Sequence, residues 1–351
     1  MKKVFLIAYT KLNLGDDIFL TILLKKYSEI QFFINIPDIK DRKFLIDIRN
    51  INFIEYSTRR DINIEEYDAF VYIGGSVFME HAWEFNEYIE YSEFVLKCKQ
   101  MDKPFFYISS NFGPHNTKEY FEVSELIIRN CKDVCFRDIY SYNLFSHIPS
   151  VRYQPDVILG CDIKNINQQK DTVGISVIGF DMRDELSEYE EKYYNLLKNS
   201  IKMYIKEGKS VVLFSFCKFE LDEIGIEKLL KYFSIEELLK IRLVKYDGDI
   251  EVFINDYKNI EYMIVTRFHS MILSAICNQK IYCLSYSKKI NNVVEDLNFE
   301  INIKNIDEIE EEEFIDVQLF RKVNEEKIEK IKEYSKKQLE EFDKFVKFDR
   351  K

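Results

Sequence analysis

The sequence predicts an α/β protein in which helices cover parallel β-sheets. Short apolar runs typical of buried strands alternate with segments of helical period along most of the 351 residues. This length suffices for two ordinary domains, each with its own core. Between two such alternating series lies a polar stretch, Asp162–Asp171, without apolar periodicity. We therefore expect two parallel-sheet domains, within residues 1–165 and 172–315.

The first series begins with an apolar strand at Val4–Tyr9. This run is too short for a signal peptide, and no small-residue cleavage pattern follows it. Other strands are predicted at Gln31–Asn35, Ile51–Glu55, Ala69–Ile73, Phe105–Ser109, Val134–Phe136 and Val157–Leu159, with helices at Ile18–Tyr27, Asn86–Gln100 and Glu119–Asn130.

The second series has the same character. Its predicted strands are Thr172–Val177, Ser210–Phe216, Ile241–Val244, Tyr262–Val265 and Ile281–Leu284, and its helices include Glu188–Glu207, Leu221–Tyr232 and Ile250–Tyr257. Apolar residues at helical spacing then predict one long amphipathic helix over Val323–Val346, within a terminal segment of residues 320–351.

Composition excludes several classes of protein. A net charge of −11 argues against a general nucleic-acid binder. No segment approaches the roughly 18–20 apolar residues of a membrane span. The seven cysteines are scattered without paired spacing, so we expect reduced thiols and neither a metal site nor a metal cofactor. The expected location is the cytoplasm. No feature of the sequence indicates an oligomeric state.

The segment from Glu261 to Asn298 contains the most informative motif. A predicted strand ends at Arg267-Phe268-His269-Ser270, and a helix-period segment follows. In a parallel α/β unit this turn lies where ligands collect, at a helix N-terminus that favours anions. The guanidinium of Arg is a cation whose N–H donors form a fork that suits phosphate or carboxylate. The imidazole of His can gain or lose a proton near neutral pH. An anionic substrate that must be protonated would suit this motif, although a capping His beside a structural Arg explains it equally well.

Other polar or glycine-containing turns follow predicted strands in the first series. They are Asn13-Leu14-Gly15-Asp16, Gly74-Gly75, the turn from Asn111 to Pro114, and Arg137-Asp138. Asn13 or Asp16 could cap the following helix. Paired glycines at a strand end permit close approach of backbone to a neighbour. Arg137 could form an internal ion pair with Asp138 or present a second cation to a ligand.

With these turns in order, the chain resembles the polysaccharide pyruvyl transferase family. The resemblance covers about residues 4–300 and rests on Asn13 to Asp16, Ile73-Gly74-Gly75, Asn111 to Pro114, Phe136-Arg137-Asp138 with Ser141, Pro155-Asp156, Gly174-Ile175-Ser176, Arg267-Phe268-His269, and Tyr286 with Lys289. Two features depart from the family pattern: Thr10-Lys11-Leu12 replaces a glycine-rich entry, and Asp17 replaces a Glu.

The resemblance implies two Rossmann-like domains facing across a cleft, similar to B-type glycosyltransferases. It also implies transfer of pyruvate from phosphoenolpyruvate, a co-substrate, to sugar hydroxyls as a ketal. Arg137 and Arg267 would hold the donor, helped by Lys289 and Ser270. His269 would act as an imidazolium acid, with Asp16 or Asp138 as candidate base. The loops carrying Asn13, Gly15, Gly74, Gly75 and Asn111 would face the acceptor.

The acceptor would be a glycan or a lipid-linked saccharide, which would bring the protein to the inner face of the cell membrane. Two alternatives remain open at this point. One is a nucleotide-sugar glycosyltransferase of the same architecture, since architecture does not determine function. The other is a non-catalytic anion- or sugar-binding module in capsule assembly.

Overall fold

A computed structural model describes residues 1–36, 42–56 and 58–347. The first part of the chain forms a seven-stranded parallel sheet in the order β3-β2-β1-β4-β5-β6-β7. Its elements are β1 (Lys3–Ile7), α1 (Leu14–Lys26), β2 (Gln31–Ile34), β3 (Ile51–Phe53), β4 (Ala69–Ile73), α2 (Phe85–Gln100), β5 (Phe105–Ser110), α3 (Lys118–Arg129), β6 (Asp133–Phe136), α4 (Ile139–Phe145) and β7 (Val151–Tyr153). We call it the first domain.

A six-stranded parallel sheet in the order β10-β9-β8-β11-β12-β13 forms the second domain. Its elements are β8 (Gln169–Ser176), α5 (Glu190–Lys206), β9 (Ser210–Ser215), α6 (Asp222–Leu230), α7 (Ile235–Leu238), β10 (Ile241–Lys245), α8 (Ile250–Tyr257), β11 (Ile260–Val265), α9 (Phe268–Ile276), β12 (Lys280–Ser285), α10 (Lys288–Asp296) and β13 (Asn302–Asn305). The α/β class with parallel sheets is thus confirmed.

Two predictions of local structure are wrong. Val157–Gly160 is a 3₁₀ turn, and the last strand of the first sheet is β7. The predicted long terminal helix is divided into α11 (Glu325–Lys336) and α12 (Glu340–Lys347) by a 3₁₀ turn at Lys337–Leu339. Residues 348–351 of the terminal segment lie outside the described residues.

Apolar side chains pack on both faces of each sheet, as parallel sheets require. One cluster, formed by α2, α3 and the strands beneath them, covers one face of the first sheet. Another is continuous between the domains, since it includes Leu14 on α1 together with Phe216 and Tyr246 of the second domain. The two domains therefore share part of their core.

Backbone contacts join the domains beside this shared core. The amide of Leu14 donates to the carbonyl of Phe216 at 3.1 Å, and Asn13 forms an antiparallel bridge with Cys217. Nearby, the Tyr246 hydroxyl donates to the buried Asp17 carboxylate at 2.7 Å. The turn after β1 is thus held against the turn after β9. No helix in the described parts of the chain is both long and apolar enough to cross a membrane.

Candidate active site between the domains

Polar turns at the carboxyl ends of strands in both sheets meet between the two domains. In parallel α/β sheets this edge is where ligands bind. The first domain contributes the turns after β1, β4, β5, β6 and β7, and the second contributes those after β9, β11 and β12. Most of these turns carry residues that were predicted from the sequence to belong to the site.

Arg137, directly after β6, is a buried cation of the site. Its side chain is only 3% exposed; Nη1 donates to Asp156 Oδ2 at 2.9 Å and Nη2 to Asn111 Oδ1 at 2.8 Å. Its guanidinium also stacks 4.0 Å from the ring centroid of Phe268, in the other domain. Asp138 is not its partner, because that carboxylate caps α4 through the Ser141 amide. The predicted cation is therefore held in one orientation by Asp156 and Asn111.

Two glycines allow this packing because they lack a side chain. A Cβ at Gly75 would lie 2.2 Å from Arg137 Nη2, and a Cβ at Gly15 would lie 1.7 Å from His269 Nδ1. Heavy atoms cannot approach so closely, so any larger residue would displace the guanidinium or the imidazole. Gly15 belongs to α1 and His269 to α9, so this second contact crosses the domain boundary.

His269 lies in the first turn of α9 with little access to solvent. Its Nε2 is 3.4 Å from Arg137 Nη1 and 4.0 Å from Asp156 Oδ2, and its ring meets the Phe19 ring edge to face. Burial, together with the cations of Arg137 and Lys289, lowers the pKa of His269 well below its usual value. The neutral imidazole is therefore favoured in the absence of a donor, and the predicted role of His269 as an imidazolium acid stays a prediction.

Asp16, in the first turn of α1, differs from His269 in that its pKa is shifted upward. Its carboxyl makes no hydrogen bond or ion pair with any described residue, although Asn13 caps the same helix by accepting from the Gly15 amide at 3.0 Å. Burial, reinforced by the carboxylates of Glu220 and Asp17, raises the pKa of Asp16 to about 8. At neutral pH this side chain is mostly protonated.

Arg267 is engaged by two carboxylates of the turn after β9. Its Nε donates to Asp222 Oδ2 at 3.1 Å, and its two terminal nitrogens form short contacts with Asp222 and Glu220. Arg183 donates to Glu220 at 2.8 Å as well. Burial would raise the pKa of Glu220, but Arg267 and Arg183 lower it to about 2. The charge of Arg267 is thus compensated within the protein.

Lys289, in the first turn of α10, is the cation without a carboxylate partner among the described residues. Its Nζ makes one long hydrogen bond, 3.4 Å, to Ser76 Oγ in the first domain. Burial would raise the pKa of the adjacent Tyr286, but Lys289, Arg267 and Arg183 lower it. Because the three arginines are paired with carboxylates, Lys289 supplies the unbalanced positive charge of the site.

The remaining predicted residues have different positions. Asn13 donates to Glu220 Oε1 at 3.2 Å across the domain boundary, and Gly74 adopts a φ of +141° beside Asp16. Ser270 is fully buried, and its hydroxyl is bonded to the Tyr257 hydroxyl at 2.8 Å in the core of the second domain. The hydroxyl is therefore engaged inside the second domain, and the predicted part of Ser270 in donor binding stays a prediction.

Four charged residues of the site were not predicted from the sequence to be functional. Glu220 and Asp222 follow β9, so the rule of strand ends would have found them. Asp156 was assigned to the start of a strand, but it follows β7 and so reaches Arg137. Arg183 follows β8, so the same rule would have reached it. Within the described residues, no group of three or more His, Cys, Asp or Glu side chains is placed to hold a metal ion.

Solved structures with a similar fold include UDP-N-acetylglucosamine 2-epimerases. A UDP-N-acetylglucosamine 2-epimerase from Rickettsia bellii has a TM-score of 0.57 at 15% identity, covering 99% of this chain and 98% of its own. The Methanocaldococcus jannaschii UDP-GlcNAc 2-epimerase, solved with UDP-GlcNAc and UDP, has a TM-score of 0.55 at 14% identity, covering 94% and 92%. For the Staphylococcus aureus MnaA–UDP structure the TM-score is 0.56 at 10% identity, covering 82% and 80%. These similarities concern the fold alone, which is that of B-type glycosyltransferases, as predicted.

Comparison with curated proteins gives no match. The sequence profile described as polysaccharide pyruvyl transferase, however, matches residues 13–288. This range begins at the Asn13 turn and ends beside Lys289, so it contains almost every strand end that contributes to the site. The chain belongs to the polysaccharide pyruvyl transferase family.

Proposed function

We propose that this protein transfers pyruvate from phosphoenolpyruvate to two hydroxyls of a sugar in a polysaccharide or its lipid-linked precursor. The observation that carries the proposal is the position of Lys289, a cation without a carboxylate partner among the described residues, in one interdomain site with His269 and Asp16. The lowered pKa of His269 and the raised pKa of Asp16 support it. An anionic donor that must gain a proton needs these three properties together.

Lys289 and Arg137 would bind the phosphate and carboxylate of the donor. Both cations lower the pKa of His269, which means that both lie close to its ring. They stand near the N-termini of α9 and α10, whose free amides favour anions. Arg267 can join them only by exchanging Glu220 or Asp222 for the donor, so its predicted role in donor binding remains a proposal that requires rearrangement.

The proposed chemistry follows from the raised pKa of Asp16 and the lowered pKa of His269. Asp16 would give its proton to the methylene carbon of the donor, and the neighbouring carbon would be attacked by a sugar hydroxyl whose proton passes to His269. Phosphate then leaves with the proton that His269 had taken up, and a second hydroxyl closes the ketal by giving its proton to the Asp16 carboxylate. Binding of the anionic donor offsets Arg137 and Lys289, so the basicity of His269 rises when the donor is present. These roles are the reverse of those inferred from the sequence.

Substitution of Lys289 by methionine is expected to weaken phosphoenolpyruvate binding by about 10-fold or more, since a hydrogen bond to a charged group contributes roughly 1.5–3 kcal/mol. Thermal stability should be unchanged, because Lys289 balances no carboxylate partner among the described residues. Isothermal titration calorimetry measures the effect. Lys288→Met is the matched control, because Lys288 is exposed at the preceding position. Equal donor affinity in both variants would contradict the role of Lys289.

The reaction itself is tested by ligand choice and by product. Phosphoenolpyruvate should raise the Tm of the wild-type protein, and phosphate should be released when a suitable glycan is added. A Tm increase with UDP-sugars but not with phosphoenolpyruvate would favour a nucleotide-sugar glycosyltransferase. Donor binding without phosphate release across a panel of capsule and cell-wall glycans would favour a binding module.

The pH dependence provides a separate prediction about Asp16. Its pKa of about 8 in the free protein means that kcat/KM for phosphoenolpyruvate should fall as pH rises through about 8, because the acid is then lost. The raised pKa also means that the folded state binds this proton more tightly than the unfolded state, so Asp16 costs stability increasingly between about pH 4 and 8. Asp16→Asn should therefore raise the Tm at pH 8.5. It should also remove most of the activity and abolish the fall of kcat/KM at alkaline pH. A wild-type profile that is flat to pH 9.5 would exclude Asp16 as the acid.

A further inference from the structure

The terminal helices return from the second domain to the first and place a buried glutamine beneath the candidate site. Gln338 lies in the 3₁₀ turn between α11 and α12 and has no exposed surface. A buried primary amide is costly unless its donors and acceptor are satisfied. Its environment therefore shows which groups the side chain serves.

The Gln338 amide bonds to three strand ends of the first sheet at once. Its Oε1 accepts from the Ser109 amide at 2.9 Å, and its Nε2 donates to the carbonyls of Gln154 at 2.6 Å and Phe136 at 3.3 Å. Because Ser109 offers only a donor there and the other two only acceptors, the orientation of the amide is determined. One side chain thus links the ends of β5, β6 and β7.

These strand ends need such a link because the sheet is irregular here. The pairing of β5 with β6 shifts register between Ile108 and Ser110, and Ser109 has a φ of +60°. A bulge of this kind leaves an amide without its ladder partner. Gln338 accepts from that amide and so replaces the missing ladder bond.

One of the three linked strand ends leads to the cation Arg137, and each of the other two leads to a residue that orients it. Asn111 lies two residues after Ser109, Arg137 directly follows Phe136, and Asp156 lies two residues after Gln154. Asn111 and Asp156 are the two acceptors that hold the guanidinium of Arg137. Ser335, one turn earlier in the helix, donates to the Asp156 carbonyl at 2.6 Å. The helix junction thus contacts all three segments behind the anion-binding group.

We propose that Gln338 is a positioning residue for donor binding: it sets the relative placement of Asn111, Arg137 and Asp156 without touching the donor. This role rests on the proposed function for the identity of the anion, phosphoenolpyruvate. The substitution that tests it is Gln338→Met, which keeps volume and shape but removes the three hydrogen bonds.

The chain contains a matched control for the loss of a buried amide. Gln279 is likewise unexposed, and its Nε2 donates to the carbonyls of Tyr257 at 2.7 Å and Ile260 at 3.0 Å. It precedes β12 and so lies at the opposite edge of the second sheet from the site. Gln338→Met and Gln279→Met should both lower Tm, because each removes hydrogen bonds that a buried side-chain amide makes to the backbone.

The two variants should differ in hydrogen exchange and in donor affinity. In Gln338→Met without ligand, the backbone amides of segments 109–112 and 136–138 should exchange faster. The KM for phosphoenolpyruvate should rise about 10-fold or more, which corresponds to a loss of about 1.4 kcal/mol of binding free energy. The kcat at saturating donor should change less. Gln279→Met should leave the exchange rates of these amides, the KM for phosphoenolpyruvate and kcat near their wild-type values.

Unchanged exchange in those segments, or a donor KM within twofold of that of Gln279→Met, would overturn the proposal. If the wild-type protein does not bind phosphoenolpyruvate, the proposed function fails. In that case the exchange measurement, with inorganic phosphate as the anion probe, still decides whether Gln338 positions Arg137.

Discussion

Replacement of His269 by alanine is expected to lower turnover by at least about 100-fold, because general acid–base catalysis typically contributes ~10²–10⁴-fold. Donor affinity should change only a few-fold, since the pKa of His269 lies well below its usual value and the ring carries little charge in the free protein. The expected signature is thus a loss in kcat with a nearly constant Kd for phosphoenolpyruvate. Single-turnover phosphate release and calorimetry measure the two quantities.

The cavity left by this substitution allows a sharper test. The imidazole packs against Gly15, Phe19 and Phe268, so its removal leaves a site shaped for the same ring. Added imidazole should restore part of the activity of His269→Ala, and the rescue should depend on the neutral form of imidazole. His147→Ala is the control, since His147 pairs with Glu125 on the surface. Wild-type turnover in His269→Ala would remove His269 from the chemistry.

Replacement of Arg137 by methionine is expected to abolish measurable donor binding, a loss of about 100-fold or more, because two charge-assisted hydrogen bonds to the donor would be lost. The same change also removes the partner of Asp156, a buried carboxyl whose pKa burial already raises against the opposing effect of Arg137. Breaking a buried ion pair from one side costs up to about 3–5 kcal/mol of stability. The single variant therefore cannot separate a loss of donor binding from a loss of folding stability.

The double variant Arg137→Met/Asp156→Asn separates these effects. Asparagine at 156 can still accept from the Ile158 amide, as Asp156 Oδ1 does at 2.9 Å, but leaves no buried charge unpaired. Denaturant unfolding should show that stability recovers in the double variant, whereas calorimetry should show that donor binding does not. Recovery of both quantities would mean that Arg137 serves the fold and not the donor.

The positions of most elements could be predicted because each strand of a parallel sheet is a short apolar run between polar turns. Ala69–Ile73 and Ile250–Tyr257 were predicted to the residue. The errors lie where local pattern is ambiguous. Val157–Leu159 is as apolar as a strand, but Asp156 caps it by accepting from the Ile158 amide, and it forms a 3₁₀ turn.

The terminal helix shows a similar limit. Its apolar spacing continues through Val323–Val346, so no local signal marks the break at Lys337–Leu339. The backbone carbonyls of Lys337 and Gln338 accept instead from Arg152, at the end of β7. That partner lies more than 180 residues away along the chain.

The sequence by itself determined the fold class, the family and the polar strand ends that contribute Asp16, Arg137, His269 and Lys289. These properties depend on local periodicity and residue type, which are visible in the sequence itself. The tertiary structure alone decided which charges are compensated. It pairs Arg267 with Glu220 and Asp222, leaves Lys289 and Asp16 without ionic partners among the described residues, and turns Ser270 into the core. Protonation states depend on burial and on charges brought close by folding, so only the three-dimensional structure could show that the pKa of His269 is lowered and that of Asp16 is raised.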